Sequence, residues 1–90
     1  MMETTTYTYD ELKNALNDAV FQITLNDGEI YDDDKLTDYF GDDLDLIEAT
    51  MIIESELDAI LPEDFPGMQI DANTTIKDFI ELMQDNIKHI

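Results

Sequence analysis

Apolar residues recur at helical spacing in three stretches of the chain, and the rhythm is lost between them. In the first stretch, Leu12, Ala15, Leu16, Ala19, Val20 and Ile23 fall on one side of a helix. Thr8, with Glu11 one turn later, has the pattern of a capping box that starts it. Asn26-Asp27-Gly28 is a turn signal that stops it. The second stretch predicts a helix from about Asp43 to Leu57, ending before Pro62. Asp42 and Asp43 stand at its start, where carboxylates accept backbone N–H groups and oppose the positive end of the dipole. Thr74 or Thr75 caps the third, whose face is Ile76, Phe79, Ile80, Met83 and Ile87.

The connections carry less pattern. Residues 25–41 have little period, and Asp32-Asp33-Asp34 reads as a solvated acidic run. Leu36, Tyr39 and Phe40 are expected to pin this long loop onto the core. An unstructured loop of that length in a compact domain is often functional. Residues 62–73 read as irregular, with one short helical turn around 63–65 and a turn at Pro66-Gly67. No segment reads as a strand; Thr24-Leu25 is too short. The expected fold is all-α: a small bundle of three main helices plus one short helix, with a long loop between helices one and two. Residues 1–90 form a single domain in this reading.

The second helix carries two apolar stripes. At about 100° per residue, Leu46, Ala49, Thr50, Ile53 and Leu57 make one. Leu44, Ile47 and Met51 lie nearly opposite, with Glu48, Glu54 and Ser55 around them. A surface helix needs one such stripe. Either loops cover the second, or it is an exposed patch ringed by carboxylates. The exposed patch would dock a partner with an apolar groove and an Arg/Lys rim. Met51 suits that surface because a thioether chain adapts its shape.

Charge sharpens this picture. The chain has 23 acids against 4 bases, a formal net charge of -19. Self-repulsion at that density lowers stability and makes it salt-dependent. Direct binding to nucleic acid or to an anionic membrane requires the opposite sign, whereas basic-surfaced proteins are drawn in quickly. No cysteine is present, which excludes disulfides, thiolate metal sites and a cysteine nucleophile. The first residues show no basic, apolar signal pattern, and no apolar run is long enough to span a bilayer. A cytoplasmic protein, monomeric and without membrane attachment, is expected.

Catalytic and metal chemistry find little support. Asp32, Asp33, Asp34, Asp42 and Asp43 offer carboxylates, but not in the alternating spacing of a calcium loop. His89, the only histidine, reads as a solvated side chain. Nothing places an acid beside a base or forms a glycine-rich phosphate loop. The chain is expected to be no enzyme and to hold no metal.

One ordered set of residues resembles the acyl carrier proteins. Their hallmark is Asp-Ser-Leu-Asp at the start of the second helix, followed by a Glu, a Met and further acids, then Pro, and later a Thr-Thr pair opening the last helix. Here the run is Asp42-Asp43-Leu44-Asp45, then Glu48, Met51, Glu54, Glu56, Asp58 and Pro62, and Thr74-Thr75 precedes Ile76. The family's Asp-Leu before the hallmark stands as Asp38-Tyr39. The likeness runs without a gap over residues 36–64, and in layout and acidity over nearly the whole chain. It implies a bundle of three main helices and a short one. It also implies a recognition surface of Asp42, Leu44, Asp45, Ile47, Glu48, Met51 and Glu54 for synthase or acyl-transfer enzymes. Part of that surface is the second stripe found from periodicity.

The likeness fails at one position. Asp43 stands where the family has the serine that carries a phosphopantetheine arm. Attachment needs a hydroxyl to attack the diphosphate of coenzyme A. A carboxylate is a poor nucleophile, and its mixed anhydride with phosphate would hydrolyse. Residues 40–45 contain no Ser or Thr; Ser55 lies about three turns along, and Thr37 precedes the motif. The family's glycine also stands one place late, as Gly41. No cofactor is therefore expected, although the family implies phosphopantetheine. Asp43 is read either as an N-cap, a role Asp and Ser fill equally well, or as a partial imitation of phosphate charge.

The expected function is thus a non-catalytic, carrier-like module that docks through helix two onto basic partner enzymes. One alternative is a functioning acyl carrier of fatty-acid or polyketide-type biosynthesis, modified at an unexpected place. Another is an acidic decoy filling the basic groove of a nucleic-acid-binding protein.

Overall fold

The computed structural model describes residues 7–25, 28–62, 65 and 70–89, the last by its backbone alone. Three helices pack together: α1 (Tyr9–Thr24), α2 (Asp43–Leu57) and α3 (Ile76–Asn86). The all-α bundle expected from periodicity is what the chain forms. The expectations for the turn at 63–65, for Pro66-Gly67 and for the His89 side chain lie outside the described residues. Phe65 alone is placed there, and its N–H donates to the Pro62 carbonyl at 3.0 Å.

Local capping sets the helix boundaries. Thr8 and Glu11 form the expected capping box, Thr8 Oγ1 accepting from Glu11 N at 3.1 Å and Glu11 Oε1 from Thr8 N at 2.9 Å. Thr75, rather than Thr74, does the same for α3 together with Asp78. α1 closes on Leu25 and α2 on Asp58, both left-handed, with φ of 61° and 51°. Asp tolerates that conformation; for leucine it is strained.

The apolar faces then meet. Leu12, Leu16 and Val20 of α1, Ile53 of α2, and Ile76, Phe79, Ile80 and Met83 of α3 are fully buried. Phe65 stacks at a tilt on Phe79, with ring centroids 5.6 Å apart. The Tyr7 hydroxyl donates to Leu57 O at 2.7 Å, and Gln84 Nε2 donates to Tyr7 O at 3.2 Å. The entry of α1 thus lies beside the exits of α2 and α3, which sets α1 antiparallel to both.

The long connection is pinned as its apolar residues predict. Leu36 and Phe40 are buried, Tyr39 is half-buried, and Leu36–Asp38 forms a short 3₁₀ turn. Ile30, not anticipated, is fully buried as well, its N–H donating to Asn17 Oδ1 at 3.1 Å. The acidic run is not simply solvated. Asp32 Oδ1 accepts from the Tyr9 hydroxyl at 2.6 Å and from Lys13 Nζ at 3.0 Å, and Asp34 accepts from the Tyr39 hydroxyl. The Asp34 and Asp32 carbonyls take the N–H groups of Ile76 and Lys77, at 2.7 and 3.1 Å. The loop therefore supplies acceptors that the first turn of α3 would otherwise lack.

One expectation is corrected. Ala59–Ile60 (β1) and Lys88–His89 (β2) pair as a two-stranded antiparallel ribbon, Ala59 opposite His89 and Ile60 opposite Lys88. Each strand has two residues, too few for alternation to show in the sequence. Among the described residues no helix is long and apolar enough to cross a membrane.

Candidate functional site

The site is built on α2. Leu46, Ala49 and Ile53 are buried, with Thr50 beside them, its hydroxyl donating back to Ile47 O at 2.7 Å. The opposite stripe is uncovered: Leu44 is 73% exposed, Ile47 47% and Met51 61%. Of the two readings open from periodicity, the structure gives the exposed one. These three side chains form an apolar ridge on the outer face of a helix whose inner face is core.

The acids of the expected recognition surface, Asp42, Asp45, Glu48 and Glu54, and Asp43 at the arm position divide into two groups. Asp42 is the N-cap of α2, its Oδ1 accepting from Asp45 N at 3.0 Å. Asp45 Oδ2 accepts from Gly41 N at 3.2 Å, so Asp42 and Asp45 lock the helix start reciprocally. Glu54 is half-buried and turned toward the chain after the helix, its Oε2 accepting from Leu61 N at 2.6 Å. These three carboxylates are occupied by backbone. Asp43 and Glu48 are exposed and make no side-chain hydrogen bond among the described residues. Asp43 and Glu48 are therefore the carboxylates with both oxygens open among the described residues.

Asp43 is the first residue of α2 and not its N-cap. The capping role considered for it belongs to Asp42. Asp43 instead lines a cleft between the start of α2 and the loop before α3. This cleft has a volume of about 240 Å³ and is lined by Leu36, Thr37, Phe40, Gly41, Asp42, Asp43, Leu46, Ile70, Asp71 and Ala72. Ile70, Asp71 and Ala72 were not singled out by the sequence, and Thr37 only as a hydroxyl preceding the motif. Their convergence depends on how the loops return to α2, which no local pattern records.

The tyrosines that flank the long loop titrate unusually. Burial, then the hydrogen bond to Asp34, pushes Tyr39 up to about 12. Burial and the Asp32 hydrogen bond raise Tyr9 further. Both remain neutral donors throughout the physiological range and hold the loop against α1 and the 3₁₀ turn. Among the described residues no group of three or more His, Asp or Glu side chains gathers as a metal site requires.

Comparison of the chain with protein-family models, with curated proteins and with solved structures finds no match.

Proposed function

We propose that this chain is a carrier-like docking module that acts without an arm. It presents the Leu44/Ile47/Met51 ridge, with Asp43 and Glu48 beside it, to a partner that has an apolar groove and a basic rim. The observation that carries this reading is the ridge itself: three large apolar side chains exposed on a helix with a complete second face in the core. A soluble chain with 23 acids would gain solubility from polar residues there. The net charge of -19 supports a basic partner and argues against docking of a second copy, which would bring like charges together. The resemblance to acyl carrier proteins, with Asp43 at the arm position, supports partners of the synthase or acyl-transfer kind. The module works as a cytoplasmic monomer in this reading and catalyses nothing itself.

Incubation with coenzyme A and a broad-specificity phosphopantetheinyl transferase, followed by intact mass, tests the missing arm. No mass gain is expected for the natural chain. A gain with Asp43→Ser would indicate that the transferase still recognises the surface. A gain on the natural chain, at Thr37 or elsewhere, would favour a working carrier instead. Partner binding that depends on salt but ignores Met51→Ala would favour the decoy reading.

A further inference from the structure

We propose that Met51 is an oxidation site, at which a peroxide converts the thioether to a sulfoxide and so switches off the apolar ridge. The consequence for partner binding rests on the docking reading; the modification itself rests on exposure and sulfur chemistry alone. The chain has no cysteine, so no thiol competes for the oxidant and its sulfur chemistry belongs to methionine. Two methionines lie among the described residues, and they are placed oppositely. Met51 is 61% exposed on the outer face of α2, whereas Met83 of α3 is fully buried in the core. Peroxide therefore reaches the Met51 sulfur without any opening of the fold, while Met83 reacts only as the core opens.

The reaction is a two-electron oxygen transfer. The Met51 sulfur attacks one peroxide oxygen, and an S–O bond forms as the O–O bond breaks. The proton of the attacked oxygen passes to the leaving oxygen, which departs as water or an alcohol. The sulfur is oxidised, the peroxide is reduced, and no other reagent is needed. Leu44 and Ile47, the other members of the ridge, are hydrocarbons with no such reaction. The product is polar where the reactant was apolar. In water its oxygen is solvated; pressed into an apolar groove it is an acceptor buried without a donor. The inner face of α2 is untouched, since Leu46, Ala49 and Ile53 keep their packing. Oxidation thus changes the surface and leaves the fold.

The test treats the folded chain with dilute hydrogen peroxide. Tandem mass spectrometry reads each methionine, and retention on a phenyl column in high salt reads the ridge. Salt at about 1 M screens the acidic surface within about 3 Å, so retention reports apolar exposure and needs no partner. Met51 is expected to gain one oxygen on the order of 10 times faster than Met83, with the circular dichroism of the folded chain preserved. Retention is expected to fall about as far as Leu44→Ala lowers it, and methionine sulfoxide reductases for both epimers should restore it. Met51→Leu, apolar but without sulfur, should show no change in retention on peroxide treatment, whatever its starting value. Equal oxidation of Met51 and Met83 would overturn the site. Oxidised Met51 with unchanged retention, or a Met51→Leu chain that responds as the natural one does, would overturn the switch. Resistance of Met51 to peroxide refutes the modification and leaves docking standing. Partner binding that ignores Leu44→Ala refutes docking and leaves the modification standing.

Discussion

The carboxylate of Glu54 accepts the backbone N–H of Leu61 at 2.6 Å, which ties the end of α2 to the chain that leaves it. The resemblance to acyl carrier proteins implies a recognition role for Glu54, yet its geometry is that of a structural brace. Glu54→Gln is therefore expected to lower stability by about 1 kcal/mol, read by urea unfolding, and to leave partner binding nearly unchanged. Leu44→Ala and Met51→Ala should do the reverse. Each is expected to weaken partner binding by about 1–2 kcal/mol, with unfolding shifted by less than about 0.5 kcal/mol because both side chains are exposed.

Asp42 and Asp43 are neighbours with different duties. Asp42→Ala removes the N-cap of α2 and is expected to cost about 1 kcal/mol. Asp43→Ala should cost less, because its carboxylate accepts no backbone bond among the described residues and contributes through the helix dipole, about 0.3 kcal/mol once salt screens it. Urea melts of the two variants in one buffer compare them. Equal losses would show that the cap bond of Asp42 adds nothing beyond the dipole.

Leu25 closes α1 in the left-handed region at φ 61°, with its side chain 77% exposed. A β-carbon is strained there and the side chain packs little in return. Leu25→Gly should therefore stabilise the fold by about 0.5–1 kcal/mol, the relief of strain exceeding the added freedom of the unfolded chain. A loss of stability by thermal unfolding would show that Leu25 packs usefully.

Acidity acts on the fold through Glu56. Desolvation first, then the hydrogen bond with Asp18 and the charge of that residue, push its carboxyl up to about 7 from an ordinary 4.5. The folded value lies above the unfolded one. The stability it contributes is fully present below about 4.5 and is lost as pH rises through about 7. Asp32 works in the opposite sense. Its hydrogen bonds from Tyr9 and Lys13 hold it below 3.8, so its contribution is lost only as pH falls beneath that value. The melting temperature should thus be lower at about pH 8 than at about pH 5, and Glu56→Gln should shrink the difference. An unchanged difference in the variant would remove Glu56 from the account and leave general charge repulsion.

What the sequence reveals follows the range of the interactions involved. Thr8 with Glu11, and an acid pair before the apolar rhythm of α2, act over a single turn, so where α1 and α2 begin is legible directly. The opposition of Leu44, Ile47 and Met51 to Leu46, Ala49 and Ile53 is legible too, because both stripes lie on one helix. Whether anything covers the second stripe is a tertiary fact, and only the fold decides it. The same holds for Ile30, buried with its N–H bonded to Asn17 across a loop, and for the pairing of Ala59 with His89. Asp42 and Asp43 are chemically alike, so the sequence alone does not say which one turns its carboxylate back onto the helix.

The proposed function holds that this chain is carrier-like and that Asp43 cannot hold an arm. The most direct measurement is the intact mass of the chain purified from its natural host. The account predicts the mass of the bare polypeptide, with no pantetheine adduct. A covalent phosphopantetheine group on any residue would contradict it.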